Sequence, residues 1–246
     1  MPSIYCQRIF VPGSYYHIYN RGAHQELLFR NSTDYQAFTE ILEYYILHPL
    51  GTPPSVVTRY STAGYHRAIH KDPFFAQLSS STQKDIHAYN LICYCLMPNH
   101  FHLMVRQIDD NVTISNLMRR LCVGYAMYYN DKHHHSGTIF QGKYKNILVE
   151  NEYQWLYLSK YIHRNPLHGK VGGDGQRTDL CTSLADYPYS SFPHYIGRRT
   201  EKWISSSEML GRYKNNAFQK YRDFVLDGSD SGNIAKQAID HEELQY

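Results

Sequence analysis

The stretch His87–Gln107 decides the fold: HAYNLICYCLM, then Pro98-Asn99, then HFHLMVRQ. Two apolar runs of strand length are broken by a turn pair, which reads as a β-hairpin. In the second run, residues two apart project from one face of the strand. His100 and His102 therefore share a face, and Phe101 between them faces the other way.

Working outward, Tyr15–Asn20 (YYHIYN) alternates and meets Arg21-Gly22, a strand ending in a turn. Asn31–Asp34 offers helix caps, and Tyr35, Phe38, Ile41, Leu42 and Tyr45 follow at helical spacing. That helix should end near His48-Pro49. Thr113 or Ser115 caps a second helix with Ile114, Leu117, Met118, Leu121, Tyr125 and Tyr128 on its apolar stripe. His133–Gly137 reads as a loop, and Ile139–Val149 as a strand. Asn151 begins a helix carrying Trp155, Leu158, Tyr161 and Ile162, which stops at Asn165-Pro166. The order β-α-β-β-α-β-α predicts an α+β fold. Without its last helix it is the split β-α-β pattern of a ferredoxin-like antiparallel sheet with helices on one face.

These elements place one domain over residues 1–170, interrupted by an insertion at about 50–85 that lacks a clear period. A helical C-terminal extension covers residues 171–246, with helices expected over Ser206–Tyr213 and Asn216–Val225 and a loosely ordered last stretch. No run of eighteen apolar residues exists, so no membrane span is expected. Met1–Phe10 lacks the features of a signal peptide, so a cytoplasmic location is expected. The cysteines at 6, 93, 95, 122 and 181 form no Cys-x-x-Cys pair. Neither a disulfide framework nor a zinc ribbon is indicated, and Cys93 and Cys95 read as buried strand thiols.

The formal net charge is +3 with histidine neutral. The basic residues are uneven: Arg119, Arg120, Lys132, Lys143, Lys145, Lys160, Arg164 and Lys170 cluster among few acids, whereas the tail from Asp223 is acidic. The cluster points to a phosphate-facing surface. Arg119, Arg120, Lys143 and Lys145 are the candidates for backbone contacts, and Arg21 for a phosphate or a guanine edge. Tyr144, between two lysines, is placed either to stack a base or to fill the core.

Both imidazoles of His100 and His102 can reach one cation, the competing reading being two solvent-facing strand histidines. With 15 histidines in the chain, a His-x-His also arises by chance. A second pair, His133 and His135, lies in a predicted loop where the same-face argument fails. Tyr161 and Asn165 are four apart on one helix face. An amide there is a candidate third ligand, and Tyr161 a candidate nucleophile toward a phosphate polarised by the same ion. The competing reading makes Tyr161 a core ring, and Tyr125, Tyr128 and Tyr129 are rival nucleophiles among 24 tyrosines.

Four ordered blocks carry a resemblance: Tyr16–Gly22 (YHIYNRG), Leu96–Leu103 (LMPNHFHL), Gly137–Lys145 (GTIFQGKYK) and Tyr161–Pro166 (YIHRNP). They resemble the signature blocks of IS200-like transposases and, more narrowly, of REP-associated tyrosine transposases. The resemblance covers roughly positions 14 to 197. It implies that His100 and His102 are the metal pair, that Tyr161 is the nucleophile, and that Asn165 stands at the amide-ligand position. It further implies Mg²⁺ or Mn²⁺, a single-stranded DNA substrate forming REP-like palindromic hairpins, and cleavage through a 5′-phosphotyrosine with a free 3′ hydroxyl. The histidine-rich loop Asp131–Gly137 departs from relatives, which carry arginines there. A single-chain site is preferred to a dimer that completes its sites in trans. Two alternatives stand beside this activity: a hairpin-binding descendant that no longer cuts, and a hydrolase using the histidines alone.

Overall fold

The computed structural model describes residues 8–51, 86–167, 181 and 183–227. The insertion at 52–85, Lys170 and the tail beyond Asp227 lie outside the described residues.

Four strands form one antiparallel sheet: β1 (Tyr15–Arg21), β2 (Tyr89–Met97), β3 (His100–Gln107) and β4 (Lys145–Val149), in the order β2-β3-β1-β4. Helix α1 (Ser32–Leu47) connects β1 to β2, and α2 (Ile114–His133) connects β3 to β4. Each crossover skips one antiparallel neighbour, which gives the interleaved split β-α-β units expected of a ferredoxin-like α+β fold. Helix α3 (Glu152–Arg164) follows, then single helical turns at Phe192–Tyr195 and Ser207–Leu210, and α4 (Ala217–Leu226).

Helix starts follow the expected capping chemistry. Asn31 caps α1 by accepting from the Asp34 amide, while the Asp34 carboxylate accepts from the Asn31 amide. Thr113 caps α2 in the same reciprocal manner with Asn116. Asn151 caps α3 by accepting from the Gln154 amide.

The sheet is covered on both faces. Phe101 of β3 meets Phe38 of α1, and Phe38 meets Tyr125 of α2, so α1 and α2 share one face as expected. His102 of β3 meets Tyr161, and Tyr15 of β1 meets Trp155, so α3 covers the opposite face. Burying each large side chain in this sandwich contributes about 1.5–3 kcal/mol.

The C-terminal extension closes the sheet edge at β2. The Leu96 amide donates to Tyr189 O, the Ser191 amide to Tyr94 O and the Ser205 amide to Leu91 O. An edge strand is thereby paired rather than left open. His163 of α3, fully buried, ties the same region: Nδ1 meets the Tyr221 hydroxyl and Nε2 the Ser191 hydroxyl, both at 2.8 Å.

Three expectations are corrected. The strand predicted over Ile139–Val149 is continuous only from Lys145, while Ile139–Gln141 pairs separately with Arg21–Ala23. Continuing the β1–β4 register would set Gly142 opposite Gly22, but Phe140 is there instead, so two residues loop out. β1 leads into a turn at Gly22, where a Cβ would lie 2.1 Å from Glu26 O. His133 closes α2 instead of opening a loop; the left-handed His134 (φ 48°) terminates the helix. The helix expected over Ser206–Tyr213 is one turn.

Candidate functional site

The hairpin turn that precedes His100 is held from outside. Pro98 O accepts from the Leu28 and Phe29 amides, Asn99 O accepts from the Gly22 amide, and Asn99 Nδ2 donates to Gln25 O. The segment after β1 therefore fixes where β3 begins. Strand alternation then sets His100 and His102 on the α3 face, with ring centroids 5.1 Å apart and planes at 85°.

β1 contributes the neighbours. Arg21 lies opposite His100 and Tyr19 opposite His102, which puts Tyr15, His17, Tyr19 and Arg21 on the histidine face. The register continues through Tyr19 to Lys145 of β4. From α3, Tyr161 sets its ring edge-to-face against His102 at 5.5 Å and against His17 at 6.2 Å. Asn165 follows one turn on, donating to Tyr161 O at 3.1 Å and hydrogen-bonding to the His100 ring. Thus a single chain gathers His100, His102, Tyr161 and Asn165 on one face.

Hydrogen bonds fix the orientation of both imidazoles. His100 Nδ1 lies 2.7 Å from Asn99 Oδ1, which accepts, so the ring proton sits on Nδ1 and a lone pair on Nε2. His102 Nδ1 lies 2.9 Å from His17 Nε2, leaving His102 Nε2 outside that bond. Burial, with the Arg21 guanidinium added, pushes His100 down to about 4 against the opposing Asn165 bond. Burial and the neighbouring His100 and His17 hold His102 well below the ordinary imidazole range. Both are therefore neutral near pH 7, the form that ligates metals. Among the described residues no three His, Cys, Asp or Glu side chains converge on a metal position. The Asn165 amide, beside the His100 ring, adds an oxygen of the kind that hard cations accept.

Arg21 adds a feature of its own. Its Nη2 donates to Gln25 Oε1 at 3.3 Å, while its Nε–H is buried with no hydrogen-bond partner among the described residues. An unpaired buried guanidinium N–H beside a histidine pair is a donor awaiting an acceptor.

The remaining site expectations divide. Lys145 is on the histidine face and Lys143 is exposed in the preceding loop. Arg119 lies on α2, across the sheet from the histidines. Arg120 is corrected as a DNA contact: its guanidinium is buried, donates to Pro49 O and Gly51 O, and stacks on Tyr45. The signal was available, because Leu117, Arg120, Leu121, Gly124, Tyr125 and Tyr128 form one continuous stripe. Tyr144 has its hydroxyl 3.1 Å from Ser115 Oγ and its face under Arg8.

The rival tyrosines are structural. Tyr125 donates to Leu28 O, Tyr128 to Asp34 Oδ1 and Tyr129 to Leu27 O, all from buried positions on the α1–α2 face. The second histidine pair is also accounted for. His133 meets Asp34 and His135 meets Asn130. His17 and Asn99 escaped the sequence reading as site residues. The alternation Tyr15, His17, Tyr19, Arg21 could have flagged His17, since it repeats the spacing that singled out His100 and His102.

Residues 64–165 match the family model described as Transposase IS200 like. This stretch, less than half of the chain, is similar to IS200-like transposases. It contains His100, His102, Tyr161 and Asn165 and bears out the resemblance read from the sequence blocks. A similar solved structure is described as the REP associates tyrosine transposase bound to a REP hairpin. Its identity to this chain is 14%, over 78% of this chain and 84% of that one, with a TM-score of 0.48. No curated protein sequence matches the chain. Among the described residues, no helix is long and apolar enough to cross a membrane.

Proposed function

We propose that this protein is a metal-dependent single-stranded DNA endonuclease and strand transferase acting on hairpin, REP-like palindromic DNA as a monomer. The observation that carries the proposal is the gathering on one sheet face of two neutral imidazoles, Tyr161, Asn165 and the unpaired Arg21 Nε–H. The IS200-like match over residues 64–165 supports the reaction class.

His100, His102 and Asn165 would hold Mg²⁺ or Mn²⁺, two nitrogens and one amide oxygen leaving room for waters and phosphate oxygens. Bound there, the ion supplies Lewis-acid stabilisation of phosphoryl charge. Tyr161 Oη forms a bond to the scissile phosphorus as the bond to the 3′ oxygen breaks. The phenol gives up its proton and the departing 3′ oxygen gains one. The product is a 5′-phosphotyrosine with a free 3′ hydroxyl, and the ester bond is conserved, so rejoining by a 3′ hydroxyl needs no nucleotide cofactor. Arg21 aims its Nε–H at a phosphate oxygen, and Lys145 and Lys143 continue the path of the DNA backbone.

The test is a denaturing gel with labelled hairpin DNA. Wild-type protein with Mn²⁺ forms a covalent adduct, EDTA prevents it, and Tyr161→Phe gives none. Hairpin binding without any adduct in Mn²⁺ would reject strand transfer and leave the non-catalytic hairpin binder. Cleaved products free of protein would leave the hydrolase.

A further inference from the structure

His17 has no role in the chemistry above, yet it is fully buried and bonded to a proposed metal ligand. We propose that His17 is a positioning residue: by accepting a hydrogen bond at Nε2 from His102 Nδ1–H, it fixes the His102 tautomer that presents Nε2 to the cation. The proposal rests on the metal site just described.

The geometry is specific. His17 lies opposite Met104, two residues from the Tyr19–His102 pair, so its bond to His102 runs diagonally between β1 and β3. The nitrogens are 2.9 Å apart and the rings are stacked at 5.2 Å with planes at 19°. Tyr19 packs on His17 at 4.9 Å and on His102 at 6.0 Å, so neither ring can swing without displacing the other two. His17 and His102 are 0% and 1% exposed.

Two imidazoles joined by one hydrogen bond share a single proton between the facing nitrogens, so one ring must donate and the other accept. If His102 donates, its proton is on Nδ1 and its Nε2 lone pair is available. If His17 donates, the His102 proton moves to Nε2 and that nitrogen cannot ligate. His100 faces no such choice, because the Asn99 amide oxygen only accepts. The two ligands are thus oriented by different partners, an amide oxygen for one and an imidazole for the other. Outer partners of ligating histidines typically matter about 10–100-fold in metal affinity.

The experiment titrates the metal-free full-length protein with Mn²⁺, reading free Mn²⁺ by electron paramagnetic resonance. In parallel, long-range ¹⁵N–¹H correlation spectra of the metal-free protein report the His102 tautomer. Wild type is expected to carry the His102 proton on Nδ1. His17→Leu, which removes the acceptor, should weaken Mn²⁺ binding about 10–100-fold and shift the proton to Nε2. His17→Gln, which restores an acceptor oxygen, should return affinity to within a few-fold of wild type. A folded His17→Leu protein with wild-type affinity and tautomer would overturn the proposal. So would a wild-type His102 proton on Nε2, a measurement that needs no variant. His100→Ala separates the two claims. If wild type binds Mn²⁺, His100→Ala does not and His17→Leu does, the metal site stands and the role of His17 falls. If wild type binds no Mn²⁺, both fall.

Discussion

Consecutive residues of β3 lead into two different environments. Phe101 faces α1 and α2, where three tyrosine hydroxyls, a buried aspartate and an inward arginine all have protein partners. His100 and His102 face α3, where one ring nitrogen of each is bonded for orientation and a guanidinium N–H is left over. Both faces are rich in tyrosine and polar atoms, so composition does not separate them. What separates them is the pair of histidines, each held through one ring nitrogen, by Asn99 or His17, with its other nitrogen outside that bond. A ligating histidine is oriented in this way, through one nitrogen, by an outer partner.

The sharpest way to break this contrast is a pair of identical substitutions. Tyr161→Phe should abolish adduct formation on hairpin DNA and change stability little, because the ring contacts with His102 and His17 remain. Tyr125→Phe should leave adduct formation intact and lower unfolding free energy by about 1 kcal/mol, since Leu28 O loses its donor. Urea unfolding alongside the gel assay checks both. An adduct surviving Tyr161→Phe and vanishing in Tyr125→Phe would exchange the two faces.

A second pair sits one residue apart. Phe101→Ala should cost about 3–5 kcal/mol of stability through the cavity against Phe38 and Phe140, while folded protein still binds Mn²⁺. His100→Ala should lower Mn²⁺ affinity by more than about 100-fold, while costing no more than about 1 kcal/mol for the lost Asn99 bond. Calorimetric titration with Mn²⁺ and urea unfolding of each variant provide the comparison.

The same contrast explains what could be read from the chain. β1, the hairpin and the first three helices were legible, because period-2 and period-3.6 patterns with caps at Asn31, Thr113 and Asn151 report local structure directly. Helix α3's choice of the second sheet face was not legible, since an amphipathic stripe says that one side is buried and not against what. The shortened β4 was missed because Ile139–Lys145 has strand composition, and alternation carries no mark of the two residues that loop out between Phe140 and Lys145. Arg120 misled because its type was weighed over its place on an apolar stripe. Spacing raised His100, His102, Tyr161 and Asn165 as candidates and the resemblance of the four blocks assigned their roles, whereas His17 bonds diagonally between strands, which no single-strand pattern encodes.

The smallest effect concerns pH and the closed face. Asp34 is fully buried, where desolvation alone would raise its carboxyl. Hydrogen bonds from Lys132 at 2.7 Å, the Arg30 amide and His133 outweigh that and hold it below the ordinary carboxylate range. Between its folded and unfolded values the unfolded chain binds more protons, so stability rises with pH across that interval. The Asp34 contribution is therefore complete above the usual carboxylate range and is lost as pH falls through the lowered folded value. One such group contributes a slope of at most about 1.4 kcal/mol per pH unit. Asp34→Asn should flatten the acid limb of a stability-against-pH curve by up to that amount, and leave Mn²⁺ affinity at pH 7 within a few-fold of wild type. A variant whose acid limb matches wild type, or whose Mn²⁺ affinity collapses, would mean that the two faces of the sheet are not energetically separate.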